Sequence, residues 1–142
     1  MTMTTLIDTS ILLDVVTDDP NWADWSIQQL ESVSIQGPLL INDVVYAEWS
    51  VGYDHIEALD DTIAKMGLLV ERIPASALFL AGKAFRRYRG EAERETGVLP
   101  DFFIGAHAAV LAIPLLTRDT KRYRRYFPTL TLISPSPSGP VA

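Results

Sequence analysis

Short apolar runs alternate along this chain with longer segments in which apolar residues recur every three or four positions. The short runs predict buried β-strands at residues 5–8, 39–41, 68–70, 113–117 and 131–133. The periodic segments predict helices that begin at residue 11, after Pro20 and after Asn42 or Asp43, and further helices over residues 54–66, 75 to about 95 and 100–112. This alternation predicts an α/β fold, an α/β/α sandwich with a parallel central sheet of about four to five strands and helices on both faces.

Length and composition favour one compact domain. The chain has 142 residues, of which 48% are apolar, and this is enough for a single core. We expect the domain to cover residues 1–134, and residues 135–142, which are rich in Ser and Pro, to form a mobile tail. No apolar run approaches the roughly 18 residues of a membrane span, and the N-terminus lacks the basic region of a signal peptide. The absence of cysteine excludes disulfides and thiolate metal sites and is compatible with the cytoplasm.

The net charge of −6 hides an uneven distribution. Residues 1–70 contain 12 Asp and Glu against one Lys, a net charge of −11, whereas residues 71–142 contain 6 Asp and Glu against 11 Lys and Arg, a net charge of +5. The second half would attract a polyanion that the first half repels. Charged residues are usually solvent-exposed whatever their function, so this asymmetry permits a nucleic-acid partner without requiring one.

Four acidic residues stand where a carboxylate does not help folding. Asp8 and Asp119 each follow an apolar run, Glu48 interrupts an apolar helix, and Asp101 opens a helix that is otherwise almost uncharged. Ligands of open α/β sheets bind beyond the carboxyl ends of the strands, where Asp8 and Asp119 are expected. Glu48 and Asp101 are expected in the first turns of helices entered from the same side. The sequence therefore predicts that all four carboxylates point into one crevice.

Four carboxylates in one crevice would repel one another. Two carboxylates about 4 Å apart repel by roughly 4 kcal/mol at an effective dielectric constant of about 20, and without a cation one of them would bind a proton. Mg²⁺ or Mn²⁺, hard cations that prefer oxygen ligands, would remove this repulsion. Taken singly, the acids also have ordinary explanations: Asp8 as a helix cap, Asp101 as a partner of the helix dipole, and Asp119 as a turn residue.

Four motifs carry a resemblance to a known family. Residues 6–13 (LIDTSILL), Glu48 on a helix after a strand, residues 99–108 (LPDFFIGAHA) and residues 116–119 (LTRD) are similar, in order and spacing, to the motifs of PIN-domain nucleases. The resemblance is strongest to the VapC-type toxins of bacterial toxin–antitoxin pairs, and it covers residues 4–134 approximately. Each motif is short and degenerate, whereas the ordered set of four is specific.

The resemblance implies a metal-dependent ribonuclease with Mg²⁺ or Mn²⁺ as its cofactor. Its catalytic and metal-binding acids correspond to Asp8, Glu48, Asp101 and Asp119. Ser10 and Thr117 match supporting positions of the family, although Asn is common where this chain has Ser10. The resemblance also implies a cognate antitoxin protein that occludes the site, and commonly a homodimer.

On this basis we expect hydrolysis of an RNA phosphodiester, with Asp8 and Asp101 as the best candidates for direct metal ligands. Cations that follow the last acid would hold the RNA phosphates: Arg118, Lys121 and Arg122, with Arg124 and Arg125 as further candidates. Two alternatives stay open, a degenerate PIN-like module that binds without cutting and a metal-dependent DNA nuclease. A phosphatase of the haloacid-dehalogenase class is disfavoured, because it would need a second Asp where this chain has Ser10.

Other candidate residues favour structural roles. Tyr123, Tyr126 and Phe127 follow the basic segment and are predicted to pack in the core rather than to stack on bases. His107 lies six residues after Asp101, about 240° round a helix, and this spacing disfavours a shared metal ion.

Overall fold

A five-stranded parallel sheet forms the centre of the molecule. The computed structural model describes residues 2–91 and 98–135. Within these ranges the strands are β1 (Thr5–Ile7), β2 (Leu39–Asn42), β3 (Leu68–Glu71), β4 (Leu115–Leu116) and β5 (Leu132–Ile133). The strand order is β3-β2-β1-β4-β5, and every neighbouring pair is parallel. This confirms the predicted parallel sheet.

Seven helices of the described ranges surround the sheet. They are α1 (Thr9–Val16), α2 (Ala23–Gln36), α3 (Asp43–Ser50), α4 (Ile56–Lys65), α5 (Ala75–Arg89), α6 (Leu99–Leu111) and α7 (Lys121–Tyr126). Connections between parallel strands are right-handed as a rule, and for this strand order the rule assigns the helices before β3 to one face of the sheet and those between β3 and β5 to the other. None of the helices in the described ranges combines the length and hydropathy that a bilayer crossing demands.

The chain reverses its direction of travel across the sheet next to β1. From β1 it proceeds to β2 and β3 on one side, and it returns to add β4 and β5 on the other side. In open α/β sheets, the gap beyond the carboxyl ends of two such neighbouring strands is the usual ligand-binding crevice. Ile7 pairs with Leu116 in register, so the residues that follow these two strands enter the crevice side by side.

Burial explains why these segments become strands and helices. All residues of β1, β2 and β4 are buried, as short apolar runs predict for the middle of a parallel sheet. Phe85 packs against Tyr88 and Phe102, both of these pack against Tyr126, and Phe102 also contacts Phe127. This aromatic cluster joins α5, α6 and α7. The prediction that the aromatic residues of the basic segment belong to the core is confirmed.

Gly105 of α6 allows the aromatic residues of α7 to pack closely. A Cβ at this position would lie 2.6 Å from two ring atoms of Phe127 and 3.0 Å from Cδ1 of Tyr123. Only glycine therefore fits without displacing a ring, and it brings α7 directly against the helix that begins with the Asp101 motif.

The elements depart from the sequence predictions in four places. Helix α1 begins at Thr9, two residues before the predicted start at residue 11. The short helix α7 was not predicted, because four of its six residues are Lys or Arg and only two contribute to the core. The strand β4 covers Leu115–Leu116 rather than residues 113–117. The helix predicted from residue 75 to about 95 ends at Arg89, and residues 92–95 lie outside the described ranges. Residues 136–142 of the predicted tail also lie outside them, so the tail stays a prediction.

Candidate active site

Asp8 lies at the carboxyl end of β1 and caps helix α1. Its backbone is extended, and its Oδ1 accepts a hydrogen bond of 2.8 Å from the backbone N–H of Thr9. Its Oδ2 accepts bonds from two hydroxyls, 2.6 Å from Oγ1 of Thr117 and 3.2 Å from Oγ of Ser10. The side chain is buried. The ordinary role of a helix cap is therefore real, but it uses only one oxygen, and the other faces the residue that follows β4.

Glu48 reaches the same crevice from helix α3. Asn42 at the end of β2 caps this helix by accepting a hydrogen bond of 2.9 Å from the N–H of Val45. Glu48 is the sixth residue of α3 and so lies in its second turn, and the prediction of a first-turn position was wrong. Its Oε1 accepts a hydrogen bond of 2.7 Å from Oγ1 of Thr9. Thr9 therefore connects the two acids, with its N–H on Asp8 and its hydroxyl on Glu48.

Asp101 lies in the first turn of α6, as predicted. Pro100 precedes it within the same turn, where the missing proline N–H costs no helical hydrogen bond. The carboxylate forms an ion pair with the Arg122 guanidinium of α7, and both side chains are mostly buried. Asp101 therefore already has one cation beside it.

Asp119 is the most exposed of the four acids and follows β4 in the loop before α7. Its backbone N–H donates a 3.1 Å hydrogen bond to Oγ1 of Thr117. The same Thr117 hydroxyl donates to Asp8, so one side chain fixes the first acid and the backbone of the last. The structure places Ser10 and Thr117, the two predicted supporting residues, in contact with Asp8.

Burial and neighbouring charge raise the pKa of Asp8 to about 6. Desolvation is the largest cause, and the charge of Glu48 acts in the same direction. Hydrogen bonds from Thr117 and Ser10 stabilise the carboxylate and oppose the increase. A pKa of about 6 means that the charged carboxylate is destabilised, so Asp8 would readily bind a proton or another cation.

The pKa values of Asp101 and Glu48 are raised as well. Desolvation raises the pKa of Asp101 to about 6, and the charges of Asp8 and Asp119 add to the shift although Arg122 opposes it. The pKa of Glu48 is raised by desolvation, and the charge of Asp101 contributes. The four acids therefore share one electrostatic environment across the crevice.

The oxygen donors suit a hard divalent cation without forming a closed cage. In the part of the chain that the structure describes, no three His, Asp or Glu side chains lie close enough together to hold one ion. The carboxylates interact through their charges and through Thr9 and Thr117. All available donors are oxygens, which Mg²⁺ and Mn²⁺ prefer, and Mg²⁺ binds proteins through few carboxylates and keeps several waters.

The basic residues of the site region differ in their partners. Arg118 donates to both oxygens of Asp14, 2.8 Å from Nε and 2.9 Å from Nη2, and it lies over the ring of Trp22. Arg122 is paired with Asp101, whereas Lys121 is exposed. Arg125 is paired with Glu91. Of the cations predicted to hold phosphates, Lys121 is the one with an exposed side chain directly after the acidic loop.

Sequence analysis missed two residues that organise this region. Thr9 bridges Asp8 and Glu48, and its position directly after the first acid was an available signal. Asp14 anchors Arg118, and nothing in the spacing of the two residues indicates this contact. His107 is buried, with its Nδ1 3.1 Å from Nδ2 of Asn42.

Comparison with known proteins assigns the family. A model of the PIN domain matches residues 5–128, which is most of the chain. The chain belongs to the PIN-domain family. Comparison with curated proteins gives no match. The matched region includes all four acids, so the ordered motifs and the family assignment agree.

Several solved structures share the fold of this chain at low sequence identity. VapBC2 from Rickettsia felis bound to a promoter DNA fragment aligns with a TM-score of 0.72 and 21% identity, over 94% of this chain and 100% of that chain. VapBC-1 from nontypeable Haemophilus influenzae gives 0.70 and 20%, over 93% and 98%. VapC20 from Mycobacterium tuberculosis, a toxin that cleaves the sarcin–ricin loop, gives 0.57 and 15%, over 85% and 94%. At these identities the likeness establishes the fold alone.

Proposed function

We propose that this PIN-domain protein is a divalent-metal-dependent endoribonuclease that acts as the toxin of a toxin–antitoxin pair. The observation that carries the proposal is the cluster of carboxyls with raised pKa values at the crevice beyond β1 and β4. The similarity in fold to VapBC complexes and to an RNA-cleaving toxin supports it. Several carboxyls that repel one another at one place are an arrangement that a divalent cation would neutralise.

The metal of this proposal is Mg²⁺ or Mn²⁺. Asp8 and Asp101 would hold it directly, and Glu48 and Asp119 would hold it directly or through water. When bound, the cation supplies activation of water and stabilisation of the charge on the phosphoryl group. The all-oxygen donor set is the feature of the protein that fits such an ion.

The side chains of this protein have distinct tasks in the proposed reaction. Thr117 and Ser10 donate to Oδ2 of Asp8 and set the orientation of its carboxylate, and Thr9 does the same for Glu48. Asp119 is exposed at the rim and can approach substrate. Lys121 is exposed beside this acid and would attract the RNA phosphates without reading their sequence.

The proposal also includes two protein partners, a cognate antitoxin and a second copy of this chain. The neighbours VapBC2 and VapBC-1 were solved as complexes, which supports a cognate antitoxin for this chain. Leu69 and Val70 are exposed on β3, an edge strand, and an apolar edge of this kind supports a homodimer. Light scattering coupled to gel filtration would measure the dimer. The proposed cleavage of cellular RNA also implies a cytoplasmic location, which is part of the proposal.

Cleavage of RNA by the purified chain tests the proposed function. Single-stranded RNA and a DNA oligonucleotide of the same sequence are incubated with the protein and Mg²⁺ or Mn²⁺, with and without EDTA. We expect EDTA-sensitive cuts in the RNA and their loss in Asp8→Asn, while Asp61→Asn, which changes an exposed acid of α4, remains active. Preferred cutting of DNA would make the protein a DNA nuclease. Binding without cutting would make it a binding module.

A further inference from the structure

Tyr123 of α7 carries a buried hydroxyl without a hydrogen-bond partner. The side chain is 1% exposed, and within residues 2–91 and 98–135 no donor or acceptor reaches its OH. An unsatisfied buried polar group costs about 1–3 kcal/mol, and phenylalanine would provide the same ring without this cost. The hydroxyl therefore does not serve the packing of the core.

Tyr123 lies between the two helices that carry Asp101 and its partner. The residue stands four positions after Asp119 and directly after Arg122, whose guanidinium is paired with Asp101. Its ring packs close to Gly105, one helical turn after Asp101 on α6. Its buried hydroxyl therefore belongs to the α6–α7 contact from which Asp101 and Arg122 enter the site.

The charges of the cluster act on the Tyr123 hydroxyl. Burial raises its pKa well above the ordinary value, and the next causes are the negative charges of Asp8, Asp101, Asp119 and Glu48. The phenol is therefore neutral at every physiological pH and holds its proton as a hydrogen-bond donor. Within the described residues this buried donor has no acceptor, and the carboxylates whose charges act on it could each accept its hydrogen bond.

We propose that Tyr123 is a positioning residue whose hydroxyl donates a hydrogen bond to a carboxylate of the cluster when a divalent cation draws the acids together. This inference rests on the proposed function. The hydrogen bond would be charge-assisted and would orient a metal-binding carboxylate, as the Thr117 hydroxyl orients Asp8. Removing a group that orients a metal ligand typically costs about 10- to 100-fold in metal affinity or activity.

The pair of variants Tyr123→Phe and Tyr126→Phe tests the proposal. Tyr126 lies on the same helix and is also buried, but its OH is already paired with Glu91 at 3.1 Å. Stability is measured by urea unfolding in EDTA, Mn²⁺ affinity by isothermal titration calorimetry, and RNA cleavage as separate kcat and KM. For Tyr123→Phe we expect unchanged or higher stability, Mn²⁺ binding about 10-fold weaker, and a lower kcat with little change in KM. Tyr126→Phe should keep the wild-type Mn²⁺ affinity.

The outcomes separate this inference from the function on which it rests. If the wild-type chain binds Mn²⁺ and cuts RNA and Tyr123→Phe does so equally well, the role of Tyr123 is overturned and the nuclease remains. A loss of stability in EDTA for Tyr123→Phe would also overturn it, because the hydroxyl would then bond within the fold. If the wild-type chain binds no Mn²⁺, both proposals fall.

Discussion

Two arginine–aspartate pairs lie close together in sequence and have different surroundings. Arg118 and Arg122 both follow β4, and each is paired with an aspartate of a helix, Asp14 of α1 and Asp101 of α6. Asp14 accepts two hydrogen bonds from its arginine and a third, of 3.0 Å, from Oγ of Ser26. Asp101 has its arginine on one side and the charges of other acids on the other.

The comparison shows that the surroundings of an ion pair, rather than its members, decide what it does. Asp14 is surrounded by donors, so its pair with Arg118 ties the loop before α7 to α1 and α2. Asp101 keeps a pKa raised to about 6 although Arg122 lies beside it, because one guanidinium does not offset burial and two neighbouring carboxylates. The first pair is structural, and the second leaves charge for another cation to neutralise.

Breaking the structural pair should have the largest effect on stability. Asp14→Ala leaves Arg118 and Ser26 without their acceptor, and loss of one partner of a buried pair costs about 3–5 kcal/mol. The Arg118 side chain is 34% exposed and can be partly rehydrated, so we expect a loss of about 3 kcal/mol. Urea unfolding measures it. Asp61→Ala, which breaks the exposed pair with Lys65, serves as control, and equal losses for both variants would contradict the comparison.

The pH dependence of stability should reveal the unneutralised charge of the site. The pKa values of Asp8 and Asp101 are raised from 3.8 to about 6, so the folded protein holds protons that the unfolded chain releases. Stability in EDTA is therefore greatest at low pH and falls as pH rises through about 6. Between pH 5 and pH 8 we expect a loss of about 1 kcal/mol for each group. In Asp8→Asn the loss of stability between pH 5 and pH 8 should be about half as large. If the variant and the wild type lose stability equally, Asp8 does not have the raised pKa on which this prediction depends.

Removing Arg122, the cation paired with Asp101, should strengthen metal binding. Arg122→Gln deletes the positive charge that competes for Asp101, and we expect Mn²⁺ to bind about 10-fold more tightly, a change of about 1.4 kcal/mol. Calorimetry is best performed at pH 8, because the pKa of Asp101 rises further without Arg122. Arg125→Gln removes the same charge from the same helix at the pair with Glu91 and should leave the affinity nearly unchanged. Equal or weaker binding by Arg122→Gln would show that the arginine organises the site.

The smallest expected effect is on RNA binding and concerns Lys121, the exposed residue that precedes Arg122 in the sequence. Lys121→Gln should reduce the slope of log affinity against log salt for single-stranded RNA by about 0.7, the value for one phosphate contact. Fluorescence anisotropy in an Asp8→Asn background avoids cleavage during the measurement. Lys65→Gln on α4, whose ammonium is paired with Asp61, controls for net charge. Equal slopes for all three proteins would remove Lys121 from the phosphate contacts.

Much of the framework follows from local sequence patterns. The five strands are short apolar runs, and a parallel sheet buries such runs on both faces. Asp8 and Asp101 were predicted near the crevice because one follows a buried strand and the other opens a helix, and both positions are confirmed. The helix α7 was missed, because its charged sequence KRYRRY contains only two core residues and its helical state depends on packing against Gly105.

By itself, the sequence determined the order of the strands, the family motifs and the presence of four acids at chain positions that strands and helices bring to one edge. Only the tertiary structure decided which cation meets which acid, that Thr9 and Thr117 connect the acids, and that the Tyr123 hydroxyl is buried without a partner among the described residues. The physical reason is distance along the chain. Strand and helix patterns are local, whereas the pair of Asp14 and Arg118 joins residues 104 positions apart and depends on the whole sheet.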